Sequence, residues 1–384
     1  MMDPKTDRIY EIDILRGFAI MAIIGVHTIF FFSFFSAGFV GLIISTFLGS
    51  LVTLGVPIFF IVSGLVLSLR YKPRVNFHSF VKKRAISIFP PYLTISLVFI
   101  LFYAIFGLET IDLIKIPLWL LTGTVSSTFW FLVVLMQLYL LFPLISSGIS
   151  KLGSKKLEWS ILFVLFIISV FYSFGWSYLS GVFLANPSLA SLYHRILLAG
   201  IFYFVIGVYL GMNYHAFVEK MHRIPSFWIW TMFTASLLFS VVWSLLGIGN
   251  GLSGFPYILV GLFGNAIGTI VCVLGFFFLF DVSGKALLKN GLFGATIKKL
   301  GDFSFGMYLV FMLFVNLLSI EVLKIGTNKA DWTLFPLFYL LVLVSSYLAS
   351  RTLSYLPHSR LIIGDNPTSR RKITTGLITH PLVK

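Results

Sequence analysis

The sequence predicts an all-α, polytopic membrane protein of about ten transmembrane helices with both termini cytoplasmic. Three observations predict it. The chain of 384 residues is 58% hydrophobic and only 11% charged, with a mean hydropathy of +1.00. A soluble chain is about half apolar and a quarter charged, so this one has too few charges to cover a water-facing surface of its size. Apolar runs of ~20 residues, the length that crosses hydrocarbon, recur from end to end. Lysine and arginine segregate by loop, as they do when alternate loops face the cytoplasm.

The expected spans lie at 13–36, 43–69, 87–107, 128–147, 159–180, 194–213, 227–247, 256–281, 303–323 and 332–355. The first run, Gly17 to Phe35, is longer than a signal-peptide core and lacks a clear cleavage motif, so it reads as a retained helix. The second carries Gly55, Ser63 and Gly64, small residues that let helices approach closely, and Pro57, which removes a backbone donor. The third starts around Pro90-Pro91, ordinary chemistry for the beginning of a helix, after the basic run Lys82-Lys83-Arg84. Between the third and fourth, "ETIDLIKIPLWLLTG" (109–123) is short and amphipathic, which suits the membrane interface. The fourth begins beside Trp130 and carries the polar handles Gln137 and Tyr139. His194 and Arg195 open the sixth. All eight tryptophans fall near span ends or in the interfacial segment, the aromatic-belt position.

With the N-terminus cytoplasmic, all of the 28 lysines and arginines except Lys115, Arg195, Lys324 and Lys329 fall on the cytoplasmic side. This accounts for most of the net charge of +15 through basic loops facing anionic lipid, with no nucleic-acid partner required. The organisation is a cytoplasmic N-terminal segment (1–12), a transmembrane domain (13–356) and a basic cytoplasmic tail (357–384), in a plasma membrane. Cys272 is the only cysteine, so no intrachain disulfide forms. The seven histidines are scattered and no metal-ligand spacing occurs, so no metal is expected.

The first span, "EIDILRGFAIMAIIGVHTIFFFSFF", carries Asp13, Arg16 and His27. Ionisable groups are costly at membrane depth and there usually mark function. From Arg16 to His27 is eleven residues, roughly three turns plus 20°, so both share one face about 16 Å apart along the axis. Asp13 is an i,i+3 neighbour of Arg16. A neutral imidazole can accept a proton, as a general base must. The alternatives on geometry alone are an arginine snorkelling to headgroups and a histidine hydrogen-bonded to a neighbouring helix.

Further segments stand in a fixed order: "FFIVSG" (59–64), "FVKKR" with "PPYL" (80–93), "WFL" with "YLLFPL" (130–144), "GVYLG" (207–211) and "LGDFSFGMYL" (300–309). Together with "DILRGFAIMAIIGVH" they resemble the acyltransferase-3 family of integral membrane acyltransferases, over residues 13 to about 310. The resemblance implies acyl transfer to sugars, polysaccharides or glycan precursors, with acyl-coenzyme A, expected to be acetyl-coenzyme A, as donor substrate and no tightly bound cofactor. It implies that His27 is catalytic, supported by Arg16, and that Arg16, Lys83 and Arg84 meet the donor phosphates. Ser63, Trp130, Gln137, Tyr139 and Arg195 are expected on the substrate side.

The sequence departs from the family pattern at three positions. Ser87 stands where a second arginine is frequent, and Thr128 and Phe311 stand where histidines are frequent. The competing class is a transporter or flippase for a sugar or lipid-linked substrate. Against it, no span interior carries a coupling carboxylate and no internal repeat is visible.

Overall fold

A computed structural model describes residues 9–35, 39–52, 54–71, 76–108, 111–178, 192–193, 195–250, 264, 266–270, 291–324 and 332–364. Every regular element among them is helical. In order these are α1 (Tyr10–Phe35), α2 (Phe39–Val52), α3 (Gly55–Arg70), α4 (Phe77–Phe106), α5 (Ile116–Thr122), α6 (Trp130–Lys151), α7 (Lys155–Tyr178), α8 (Ile201–Met212), α9 (Tyr214–Arg223), α10 (Ser226–Asn250), α11 (Leu292–Lys324), α12 (Phe335–Leu353) and α13 (Ser359–Ile363).

Among the described residues, seven stretches are long and apolar enough to cross a membrane: Tyr10–Phe32, Ile44–Arg70, Phe77–Phe106, Trp130–Lys151, Lys155–Gly175, Leu292–Ile320 and Trp332–Leu353. They overlap seven of the ten expected spans. The span expected at 194–213 takes a different form. A 3-10 turn at Leu197–Ala199 precedes α8, and the chain then bends by 90° into α9. At 1.5 Å per residue α8 is about 18 Å long, short of the ~30 Å of hydrocarbon. In α10 the apolar stretch is Phe227–Trp243. The span expected at 256–281 lies outside the described residues, apart from 264 and 266–270.

Two helices begin earlier than their apolar runs. Asn76 caps α4 by accepting the Ser79 N–H at 3.0 Å, so the helix includes Lys82, Lys83 and Arg84 and carries Pro90-Pro91 in its interior. The expected start at the proline pair is therefore corrected: the N-cap, more than a dozen residues earlier, sets the start. Likewise α11 starts at Leu292, which draws Asp302 into the helix. The short α5 follows Asp112, whose carboxylate accepts from Ile114 N–H at 3.0 Å and pairs with Lys115 at 3.2 Å. The Lys115 hydrogen bond holds the Asp112 carboxyl below its ordinary range.

At the centre lies α1, packed on α2, α3, α11 and α12. Lipid tails are as apolar as leucine, so helices in a membrane associate through close packing, and small residues permit it. The α3–α8 crossing shows this. A Cβ on Gly64 would meet the Phe204 carbonyl, one on Gly207 the Ile61 carbonyl, and one on Gly211 the Leu65 carbonyl at 2.7 Å. Large side chains such as Leu101, Leu144, Phe163 and Leu337 stay exposed on the outer faces, where hydrocarbon solvates them.

After α12 the chain turns back and α13 docks on α4. Pro91 has no N–H, so the Ser87 carbonyl loses its partner within the helix. Gly364 lies against that carbonyl: its φ of +74° and the nearby Phe305 ring exclude a side chain. The Thr94 hydroxyl donates to the Leu361 carbonyl at 2.9 Å. Ser359 and Ile363 are buried. The tail expected from residue 357 thus opens with a docked helix; residues 365–384 lie outside those described.

Candidate active site

The crossing of α1 and α11 fixes the charged turn. A Cβ on Gly17 would meet the Ile297 carbonyl, and one on Gly301 would meet the Asp13 carbonyl and lie 3.1 Å from the Gly17 nitrogen. Two backbones in contact leave Asp13 buried and Arg16 half-buried. They also set Asp302, next to Gly301, at the level of Asp13 and Arg16. The sequence assigns Asp302 no role, because the apolar run starts just after it. The available signal was the glycine–aspartate step in "LGDFSFGMYL".

Eleven residues further along the unbroken α1, His27 is half-buried, with its ring centroid 5.4 Å from that of Phe311 and tilted by 51°. Its ring nitrogens make no hydrogen bond to the described residues. Beyond Phe311 an aromatic wall continues through Tyr308 at 6.2 Å, Phe131 at 5.3 Å from Tyr308, and Phe60 at 4.8 Å from Phe131. The Tyr308 hydroxyl donates to the Thr128 carbonyl. The Thr128 and Ser126 hydroxyls are 3.0 Å apart. From the other side, the Tyr339 hydroxyl donates to the Met21 carbonyl at 3.1 Å, tying α12 to α1. The result is an imidazole beside an aromatic wall, without a hydrogen bond to the described residues.

The remaining expected residues fall into separate groups. Ser63 is half-buried on α3 beside the Gly64 crossing, and Trp130 is half-buried with its ring on edge to Phe131, 6.4 Å away. Gln137 donates to the Arg195 carbonyl at 2.7 Å and accepts from the Leu197 N–H at 3.0 Å. The Arg195 Nε donates to the Thr122 carbonyl, and its Nη2 to the Gly123 carbonyl at 3.3 Å. Those carbonyls end α5, where a helix leaves acceptors unpaired and favours a cation. Gln137 and Arg195 thus clasp the segment before α8 onto α5 and α6.

Lys82 and Lys83 are exposed, whereas Arg84 turns into an aromatic box. Its Nη2 lies 3.2 Å from the Tyr71 hydroxyl, and its guanidinium carbon lies 5.3, 5.7 and 5.9 Å from the Tyr71, Phe80 and Tyr139 ring centres. The expected donor and substrate residues therefore form three clusters: one at His27, one around Arg195 and one around Arg84.

A family model described as an acyltransferase domain, of the acyltransferase-3 type, matches residues 9–351. The chain belongs to the acyltransferase-3 family. No curated protein and no solved structure matches it. As a member of that family it is an acyltransferase, and its long apolar helices make it a membrane protein. The match runs from just before α1 nearly to the end of α12, so it contains all three clusters and excludes α13.

The structure relates two of the departures from the acyltransferase-3 pattern. Phe311 touches the His27 ring, and Thr128 is tied to the same wall through Tyr308. Two positions where histidine is frequent in the family pattern are here an aromatic ring in contact with His27 and a threonine whose carbonyl holds the neighbouring Tyr308.

Proposed function

We propose that this acyltransferase moves an acyl group, acetyl in the simplest case, from acyl-coenzyme A to a hydroxyl of a sugar, polysaccharide or glycan precursor. The observation that carries the reading is the His27 ring: half-buried, without a hydrogen bond to the described residues, and on the same helix face as Arg16. As general base His27 takes the acceptor hydroxyl proton while the oxygen attacks the thioester carbonyl. The C–O bond forms, the C–S bond breaks, and the proton passes to the departing coenzyme thiolate. In the other route the His27 nitrogen itself takes the acyl group and then yields it to the hydroxyl.

Arg16 and Lys83, with Arg84 nearby, suit the donor's phosphates as charge-assisted donors. The axial distance of about 16 Å from Arg16 to His27 suits an extended pantetheine arm. Ser63 and Trp130 lie on the acceptor side in this reading. Gln137, Tyr139 and Arg195 support it as frame residues, since their polar atoms or rings hold neighbouring elements. The protein would sit in the plasma membrane with ten spans and cytoplasmic termini, which the distribution of basic residues supports.

The test is transfer of label from acetyl-coenzyme A to membrane glycans, followed by mass spectrometry of the acceptor. Loss of transfer in a folded His27→Ala variant supports the assignment. Undiminished transfer by that variant refutes it.

A further inference from the structure

A groove between α4 and α6 lies apart from the His27 cluster and offers Arg84, named above near the donor phosphates, to a different ligand. It has a volume of about 160 Å³ and is lined by Ala85, Ile88 and Phe89 of α4 and Met136 and Leu140 of α6, with Arg84 in its wall. On both helices these positions repeat at three- and four-residue spacing, so the walls are rows running along the helix axes. From Phe80 to Phe89 the groove spans nine residues, about 13 Å. Phe89 is 48% and Leu140 47% exposed, so the groove opens outward, towards hydrocarbon.

Arg84 is the exception in this lining. Its guanidinium has no carboxylate partner among the described residues. One hydrogen bond, to Tyr71, and three ring faces hold it, while its Nε is buried with no acceptor. Aromatic faces attract a cation but do not neutralise it. A cation drawn partly out of water requires an anion or further acceptors. An apolar channel meeting an uncompensated guanidinium describes an amphiphile with a negative head. The exposed Lys82 and Lys83, two and one residues before Arg84, add positive potential at that end of the bundle, where headgroups lie.

We propose that the α4–α6 groove binds one anionic phospholipid, with its phosphate on Arg84 and one acyl chain along Ile88, Phe89, Met136 and Leu140. The phosphate accepts from Nε and Nη, which satisfies the buried donor. The chain lies in the apolar rows. The lipid would join α4 to α6, which with Tyr71 at the end of α3 carry the Arg84 box. The inference rests on the groove and its cation, not on the acyl-transfer reading.

Native mass spectrometry of the full chain in detergent tests it, with phosphatidylglycerol and phosphatidylcholine of identical chains as probes. One phosphatidylglycerol should be retained about tenfold over phosphatidylcholine, and Arg84→Gln should reduce that preference to about twofold or less. Leu140→Trp, which fills the groove and leaves Arg84 in place, should abolish retention of both lipids. Lys156→Gln, an exposed basic change on α7, should leave retention intact. Melting curves confirm that each variant is folded; if Arg84→Gln is not, Leu140→Trp alone decides. Equal retention by wild type and both groove variants, which indicates ordinary annular lipid, overturns the proposal. So does displacement of the lipid by equimolar coenzyme A or inorganic phosphate, which would make Arg84 a site for soluble phosphate.

Discussion

The imidazole of His27 is held by shape. A ring contact with Phe311 and a helix fastened by Tyr339 fix where it stands, while its nitrogens make no hydrogen bond to the described residues. General acid–base groups contribute about 10²–10⁴-fold to rate, so His27→Ala should lower transfer by that factor with little change in donor binding; initial rates over a range of acetyl-coenzyme A concentrations measure both. Phe311→His would place a second imidazole in contact with the first. Coupled groups titrate as a pair, so the pH–rate profile of Phe311→His should change shape, whereas that of Phe311→Leu should keep the wild-type shape at a reduced rate. Tyr308→Phe removes the donor to the Thr128 carbonyl and should cost about 1 kcal/mol, visible as a lower melting temperature in detergent. Asp13, Arg16 and His27 were legible because charge is conspicuous in an apolar run. Phe311 was marked only as a departure from the family pattern and Tyr308 only as part of a motif; their place beside His27 was not legible, because it joins helices distant in the chain.

Helices here meet through glycine. Gly64 and Gly207 sit where α3 and α8 touch backbone to backbone, and Gly17 and Gly301 do the same for α1 and α11. Gly207→Leu should push α8 off α3 and destabilise the protein by about 1–3 kcal/mol or more, the cost of overpacking. Gly148 lies inside α6, and a Cβ there would meet nothing within 4 Å. Gly148→Ala should therefore be neutral or stabilising by about 0.5–1 kcal/mol. Comparing the melting temperatures of the two variants separates packing from helix propensity. Hydropathy located these helices well where the apolar run and the helix coincide. It missed the early starts of α4 and α11, because Lys82-Lys83-Arg84 and Lys298-Lys299 interrupt the apolar runs, and the asparagine that caps α4 carries no hydropathy signal. It also read 194–213 as one straight segment, since an apolar window is blind to the Gln137–Arg195 clasp and the bend after Met212.

Across the whole molecule, α1 is surrounded by its neighbours and α13 closes the bundle beside α4. Ending the chain after Gly364 should preserve folding and transfer, because the docked residues Ser359, Ile363 and Gly364 remain. Ending it after Leu356 removes them and uncovers the Ser87 carbonyl released by Pro91. That shorter chain should melt lower and lose activity in parallel, as read by thermal denaturation and labelled transfer on one preparation.

By itself the sequence determined the all-helical membrane class, the approximate positions of most spans, the charged stripe of α1 and the family. Each is written in local chemistry: apolar runs, basic loops, residues at a helical interval, and short motifs. Only the tertiary structure decided that Phe311 and Thr128 share one wall near His27, that Gln137 and Arg195 clasp backbone, and that Arg84 faces a groove. Those relations join residues distant in the chain through helix crossings. The crossings depend on which backbones can touch, a property of the packed bundle as a whole.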